Sequence, residues 1–254
     1  MIKAFKSWRP IPEDLPRFAI VLFIGALVGF IDNPLQFVFK VFSGWAFHEV
    51  GHASASWVTG SLAIPTPFVT GIFPIPYFSL FFPLLMVGAY IWAFKNNVTA
   101  IKATAAALFL SSALCTLFVS DVRGDEFVVL AGQLGDLTLS VVAILLFFAE
   151  FPEKFNWRKQ RYIWCGLGAF NLAFCSEVFY SALSNFNNLP MGAILDFGEL
   201  FDGESGGDLD RLIRDFGWSA QQLSQFYWRV VICSWSFLLI AVLFIFYRAV
   251  SRDR

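Results

Sequence analysis

The chain has 254 residues, 57% of them hydrophobic and 15% charged, with 32 Phe, 9 Trp and a mean hydropathy of +0.65. That balance is too apolar for a soluble domain of this length and indicates a polytopic protein embedded in a lipid bilayer. A formal net charge of −1, a pI near 6.1 and no RNA- or DNA-binding motif argue against nucleic acid as a partner.

The first 17 residues carry Lys3, Lys6, Arg9 and Arg17 among prolines, and the apolar run 18–31 follows. No A-x-A-like site follows it and Asp32-Asn33-Pro34 ends it, so a retained or partly inserted membrane segment is expected rather than a signal peptide. Pro34 suits a helix start, and residues 35–57 read as one helix holding the only two histidines of the chain, in His48-Glu49-Val50-Gly51-His52. Residues four apart share a helix face about 6 Å apart along the axis, so both imidazoles can reach one metal ion. Glu49, next to the first histidine, is placed to accept a proton from an attacking water, which makes it the candidate catalytic residue. Apart from Lys40 just before it, the stretch 41–60 carries no charge beyond the motif. Lys40 can snorkel toward an interface and leave the histidines deeper.

Residues 59–76 contain four prolines and two glycines among alternating apolar residues, which opposes a continuous helix. An extended stretch or short hairpin with a turn near Gly71 is expected, and such an edge beside a metal motif can hold a peptide by strand addition. An interfacial loop is the plainer alternative. Apolar helices follow at about 77–94, 99–119, 127–149, 162–183 and 227–247. Cys115, Cys165, Cys175 and Cys233 lie in these apolar segments without CxxC spacing and read as small hydrophobes. The chain is thus expected to be one all-α membrane domain, interrupted by a long polar loop at about 185–225.

Seven full spans would put Lys154, Arg158, Lys159 and Arg161, and the tail with Arg248, Arg252 and Arg254, opposite the basic N-terminus. Six spans place all of these and Lys95 on the cytoplasmic side, in line with the positive-inside bias, and about six is the expectation.

A hydrolytic zinc site has a third protein ligand and an open position. With no histidine left, a carboxylate must supply it, and three are candidates. Asp208 lies in Gly203-Glu204-Ser205-Gly206-Gly207-Asp208, whose glycines permit close approach and after which LDRLIRDFG starts like a helix; the competing reading is a helix N-cap. Asp136, in LAGQLGDLTLS, is an acid deep in an apolar run, and its alternatives are cavity lining or a helix–helix hydrogen bond beside Gly132 and Gly135. Glu177, in NLAFCSEVFYSAL, is a candidate for orienting a histidine or lining the cavity.

HExGH in a membrane helix, a proline- and glycine-broken stretch after it, and Ala131-Gly132-Gln133-Leu134-Gly135 opening a later span resemble the site-2-type intramembrane zinc metalloproteases, particularly small bacterial relatives with an AGxLG-like segment. The late Ser205-Gly206-Gly207-Asp208 is similar to the place from which an aspartate comes as third ligand in that family, although this chain has Gly-Asp-Leu beside a polar loop where well-known members have Leu-Asp-Gly in a membrane helix. The resemblance implies a zinc metalloendopeptidase of the bacterial inner membrane acting on a membrane-embedded protein or peptide, and the six-span charge placement puts both termini on the cytoplasmic side. It implies zinc on His48, His52 and Asp208, with Glu49 as proton acceptor and donor. A catalytically inactive scaffold and a metal or solute transporter using the same polar residues are the competing classes.

Overall fold

The computed structural model describes residues 14–31, 34–67, 69–73, 75–96, 99–148, 157–190 and 207–252. The basic residues Lys3, Lys6, Arg9, Lys154 and Arg254 and the glycine-bearing 203–206 stretch lie outside them. Apolar runs become helices here because in lipid every backbone N–H and C=O must be satisfied within its own segment. In chain order these are α1 (Asp14–Phe30), α2 (Pro34–Ser43), a π-helical segment (Gly44–Glu49) and α3 (Val50–Thr59). A two-stranded hairpin of β1 (Leu62–Pro65) and β2 (Thr70–Phe73) precedes α4 (Phe78–Lys95), α5 (Thr99–Phe118) and α6 (Asp121–Leu145). The chain continues through α7 (Trp157–Ser184), α8 (Asp208–Phe216) and α9 (Ala220–Arg252).

Four of the described helices are long and apolar enough to cross a membrane: Phe78–Lys95, Asp121–Phe148, Arg158–Ser184 and Ala220–Tyr247. The pair Asp14–Phe30 and Pro34–Thr59, bent by 109°, qualifies together as a broken or re-entrant fifth, and Thr104–Phe118 is a shorter apolar helix. Outward faces are correspondingly greasy, with Leu80, Phe81 and Leu84 on α4 and Leu239, Ile240 and Leu243 on α9 all exposed. Surfaces of this kind are stable only against lipid or another protein.

The core lies where α6, α7, α8 and α9 meet, around Leu137, Leu172, Leu209, Leu212, Leu223 and Tyr227, each no more than 1% exposed. α1 lies along α7, held by a forked ion pair in which Arg161 donates to both oxygens of Asp14 at 3.0 and 2.8 Å. On the other side α3 packs on α6, and α4 and α5 flank α3. The α3–α6 contact is very close. A Cβ on Gly51 would run into the Ala131 carbonyl and one on Gly135 into the Phe47 carbonyl, so neither helix tolerates a side chain at the crossing.

Two sequence expectations change. The hairpin exists, but its turn falls between Pro65 and Thr70, with Gly71 inside β2 opposite Ile64. Thr66 N–H donates to the Val69 carbonyl at 3.1 Å and its hydroxyl accepts from Val69 N–H at 3.2 Å, so the turn is closed by threonine rather than glycine. The polar stretch 185–225 is also not one loop: a 3₁₀ turn (Phe186–Asn188), α8 and the first turns of α9 occupy its described part. α8 looks polar by composition but carries Leu209, Leu212, Ile213 and Phe216 on one stripe, at the helical spacing that docks it on the core.

Candidate metal centre

His48 and Glu49 end the π-helical segment and His52 lies in the first turn of α3, so the backbone changes from π to α inside the motif. Single π turns of this sort recur at functional sites because they shift side-chain phase locally. The two rings meet edge to face with centroids 4.8 Å apart, and their Nε2 atoms are 3.2 Å apart. Asp208 Oδ2 completes the group at 2.8 Å from His48 Nε2 and 2.9 Å from His52 Nε2.

The opposite ring nitrogens decide what this triangle is. His52 Nδ1 lies 2.7 Å from the Val128 carbonyl, which can only accept, so Nδ1 carries the proton. His48 Nδ1 lies 2.8 Å from Asp136 Oδ2 and by the same logic donates to that carboxylate. In the neutral rings both Nε2 atoms therefore present lone pairs to each other and to a carboxylate oxygen. Three converging acceptors repel unless a cation, or protons in its place, sits among them. Ligands about 2.0–2.1 Å from a tetrahedral ion stand about 3.3 Å apart; the two Nε2 atoms are near that separation and Asp208 Oδ2 is about half an ångström closer to each, and two imidazoles with a carboxylate are a donor set able to hold a divalent metal. His48, His52 and Asp208 are thus a group able to hold a metal ion, brought together from residues 160 apart in sequence.

Asp136, the alternative third ligand, stands outside this group. It is 7% exposed, holds the far side of His48, and receives a hydrogen bond from Asn171 Nδ2 on Oδ1 at 3.1 Å. Asn171 also donates to the Asp136 carbonyl at 3.0 Å and is 3.0 Å from Ser140 Oγ, so α7 clamps the carboxylate that orients the histidine. Such carboxylate–histidine pairs fix the tautomer and raise ligand basicity.

Asp208 is not an N-cap. Gly207 occupies that position, and Asp210 Oδ2 accepts the Gly207 N–H at 3.2 Å, leaving Asp208 on the first turn. The helix that carries it is anchored by buried Leu209 and Leu212, and just beyond its end Trp218 Nε1 donates to Glu126 Oε1 of α6 at 2.6 Å. Burial alone would push the Asp208 carboxyl up; when protons take the place of a cation on the rings, the charges and hydrogen bonds of His52 and His48 outweigh it and hold the group well below the ordinary carboxylate range.

Glu49 is 9% exposed, and its Oε2 lies 2.7 Å from the Thr70 hydroxyl, which also stands 2.9 Å from the Glu49 carbonyl. The hairpin thereby holds the acid in place. A cavity of about 450 Å³ opens here, bordered by His48, Glu49, His52 and Asp208 and by Val69 and Thr70 of the hairpin side. Lys40 borders it too, half-buried with its ammonium 4.0 Å from the Phe174 ring centre, so it turns inward rather than toward an interface. Glu177 is not brought to the centre: it is exposed and borders a different depression with Tyr180, Trp228 and Trp235.

Gly132, opposite the histidines on α6, has no space for a methyl group, because a Cβ there would collide with the His52 ring and crowd His48 Cε1. Gly132→Ala is expected to weaken metal binding at least about tenfold and to lower stability by about 1–3 kcal/mol, as overpacking does. Gly88→Ala, in open space on α4, should do neither. Metal competition with a chromophoric chelator and thermal melts of both variants make the comparison.

Asn171 and Thr70 are functional candidates that sequence patterning passes over. Asn171 gives a weak signal, a lone amide in an apolar run, but Glu177 in the same run gives a stronger one; six residues apart, they point to different sides of α7. Thr70 gives none, since its role depends on how the hairpin folds back. No family model, curated protein sequence or solved structure matches the chain.

Proposed function

We propose that the protein is an intramembrane zinc metalloendopeptidase that hydrolyses a peptide bond of a membrane-embedded protein or peptide. The observation that carries this reading is the convergence of His48 Nε2, His52 Nε2 and Asp208 Oδ2, with the glutamate of the same motif facing the same cavity. His48, His52 and Asp208 would hold the ion. When bound, zinc supplies positive charge to polarise a carbonyl and acidify water.

The remaining work falls to the chain. Thr70 fixes Oε2 of Glu49, which leaves Oε1 to take a proton from a water in the cavity and return it to the leaving amine. Asp136, backed by Asn171, keeps the Nε2 lone pair of His48 on the ligand side throughout. Val69, Thr70 and Ile72 border the cavity, so an extended substrate segment would lie along the hairpin side, where strand-like backbone pairing can hold it. Burial among apolar helices limits water to the cavity. The reading carries with it a bacterial inner-membrane location, from the family resemblance, and about six spans with cytoplasmic termini, from the placement of basic residues.

The test is metal removal in liposomes. Protein reconstituted with a panel of fluorescently tagged single-span peptides should cleave at least one of them, lose all cleavage with 1,10-phenanthroline, and recover it with added Zn²⁺. Zinc uptake into the vesicles without cleavage of any peptide would overturn the reading in favour of transport.

A further inference from the structure

Glu177 is the acid that the metal centre leaves unexplained. It sits on a membrane-spanning helix, is exposed on the outside of the bundle, and makes no hydrogen bond or ion pair with a described residue. Ionisable groups in such segments normally face the bundle interior or pair with one another, so an outward carboxylate implies a partner arriving from the membrane side.

Its surroundings define that partner. Glu177 shares a groove between α7 and α9 with Tyr180, Trp228 and Trp235. The Tyr180 and Trp228 rings stand 5.3 Å apart at 50°, and Trp235 is fixed by its Nε1–H donating to Ser176 Oγ at 2.9 Å. A carboxylate among three aromatic rings is an arrangement for an organic ammonium, held by ion pairing and by the ring faces. Depth identifies its source. Glu177 is seven residues from the end of α7 at Ser184, or about 10 Å along the axis, and Trp228 is eight from the start of α9, or about 12 Å. On helices of about 42 Å for α7 and about 50 Å for α9, against a hydrocarbon core of about 30 Å, this is at or a few ångström inside the edge of the hydrocarbon, near the level where Trp and Tyr collect and within side-chain reach of a headgroup. Phe30, Val231 and Ile232 add apolar surface suited to an acyl chain, with Ser176 and Ser236 also bordering the groove.

We propose that this groove binds a phospholipid through its ammonium-bearing headgroup, with Glu177 as the counter-charge and Tyr180, Trp228 and Trp235 as the cage. The site is separate from the metal centre, and its failure would leave the peptidase reading untouched.

Native mass spectrometry of the detergent-solubilised protein tests it, using phosphatidylethanolamine and phosphatidylglycerol with identical acyl chains. The wild type should retain the ethanolamine lipid at least about fivefold more than the glycerol lipid, and Glu177→Gln should abolish the preference while keeping the same melting temperature. Trp228→Ala should weaken ethanolamine-lipid retention on its own. Equal retention of the two lipids by the wild type, or a preference that survives Glu177→Gln, overturns the proposal. So does stronger binding of a single-span peptide bearing a lysine at matching depth, which would make the groove a helix-docking site.

Discussion

Glu49→Gln is expected to leave metal content unchanged and to lower peptide cleavage by about 10²–10⁴-fold, the usual contribution of a positioned general base. Glutamine keeps the shape of the side chain and an acceptor oxygen for Thr70, which lies 2.7 Å from Glu49 Oε2, so the hairpin contact survives. What is lost is a group that can take and return a proton. Metal analysis and cleavage are measured on the same reconstituted sample. If the variant loses its metal, Glu49 belongs to the ligand set; if it cleaves at the wild-type rate, the catalytic assignment is wrong.

The second large effect separates the two aspartates. Asp208→Ala removes one of three converging donors and should bring bound metal from roughly one ion per chain to almost none after dialysis. Asp136→Asn keeps an acceptor for His48 Nδ1 but removes the charge behind it, and should weaken affinity by about 10–100-fold without emptying the site at saturating metal. Competition titrations on both variants read the difference directly. The reverse outcome, with Asp136→Asn empty and Asp208→Ala loaded, would exchange the two roles.

Much of the site can be read in the chain before it folds. The histidines and Glu49 follow from spacing on a helix, and elimination leaves a carboxylate as third ligand. Spacing could not choose between Asp208 and Asp136, because both are acids in unusual settings, and the choice depends on which ring nitrogen each meets. Asp208 meets Nε2 of both rings and Asp136 meets Nδ1 of one. Glu177 illustrates the opposite case: by sequence it looks as much a part of the centre as Asp136, yet the rotation of α7 turns it outward and brings Asn171 in. The hairpin was legible as broken backbone, but not the contact between its second strand and Glu49.

The sequence by itself determined the membrane-type helical architecture and the pair of histidines able to share a metal ion. Apolar runs with few charges demand helices in lipid, and His-Glu-x-x-His demands a shared face. Both are local properties, set by composition and by the 3.6-residue period. Tertiary structure alone decided which carboxylate joins the histidines, because Asp208 reaches them only when Leu209 and Leu212 seat α8 on the core. It likewise decided the fit of the motif helix, where Gly51, Gly132 and Gly135 bring α3 and α6 close enough to confine both imidazoles. These are contacts between segments some 80 to 160 residues apart, and no local pattern encodes which of several acids will close them.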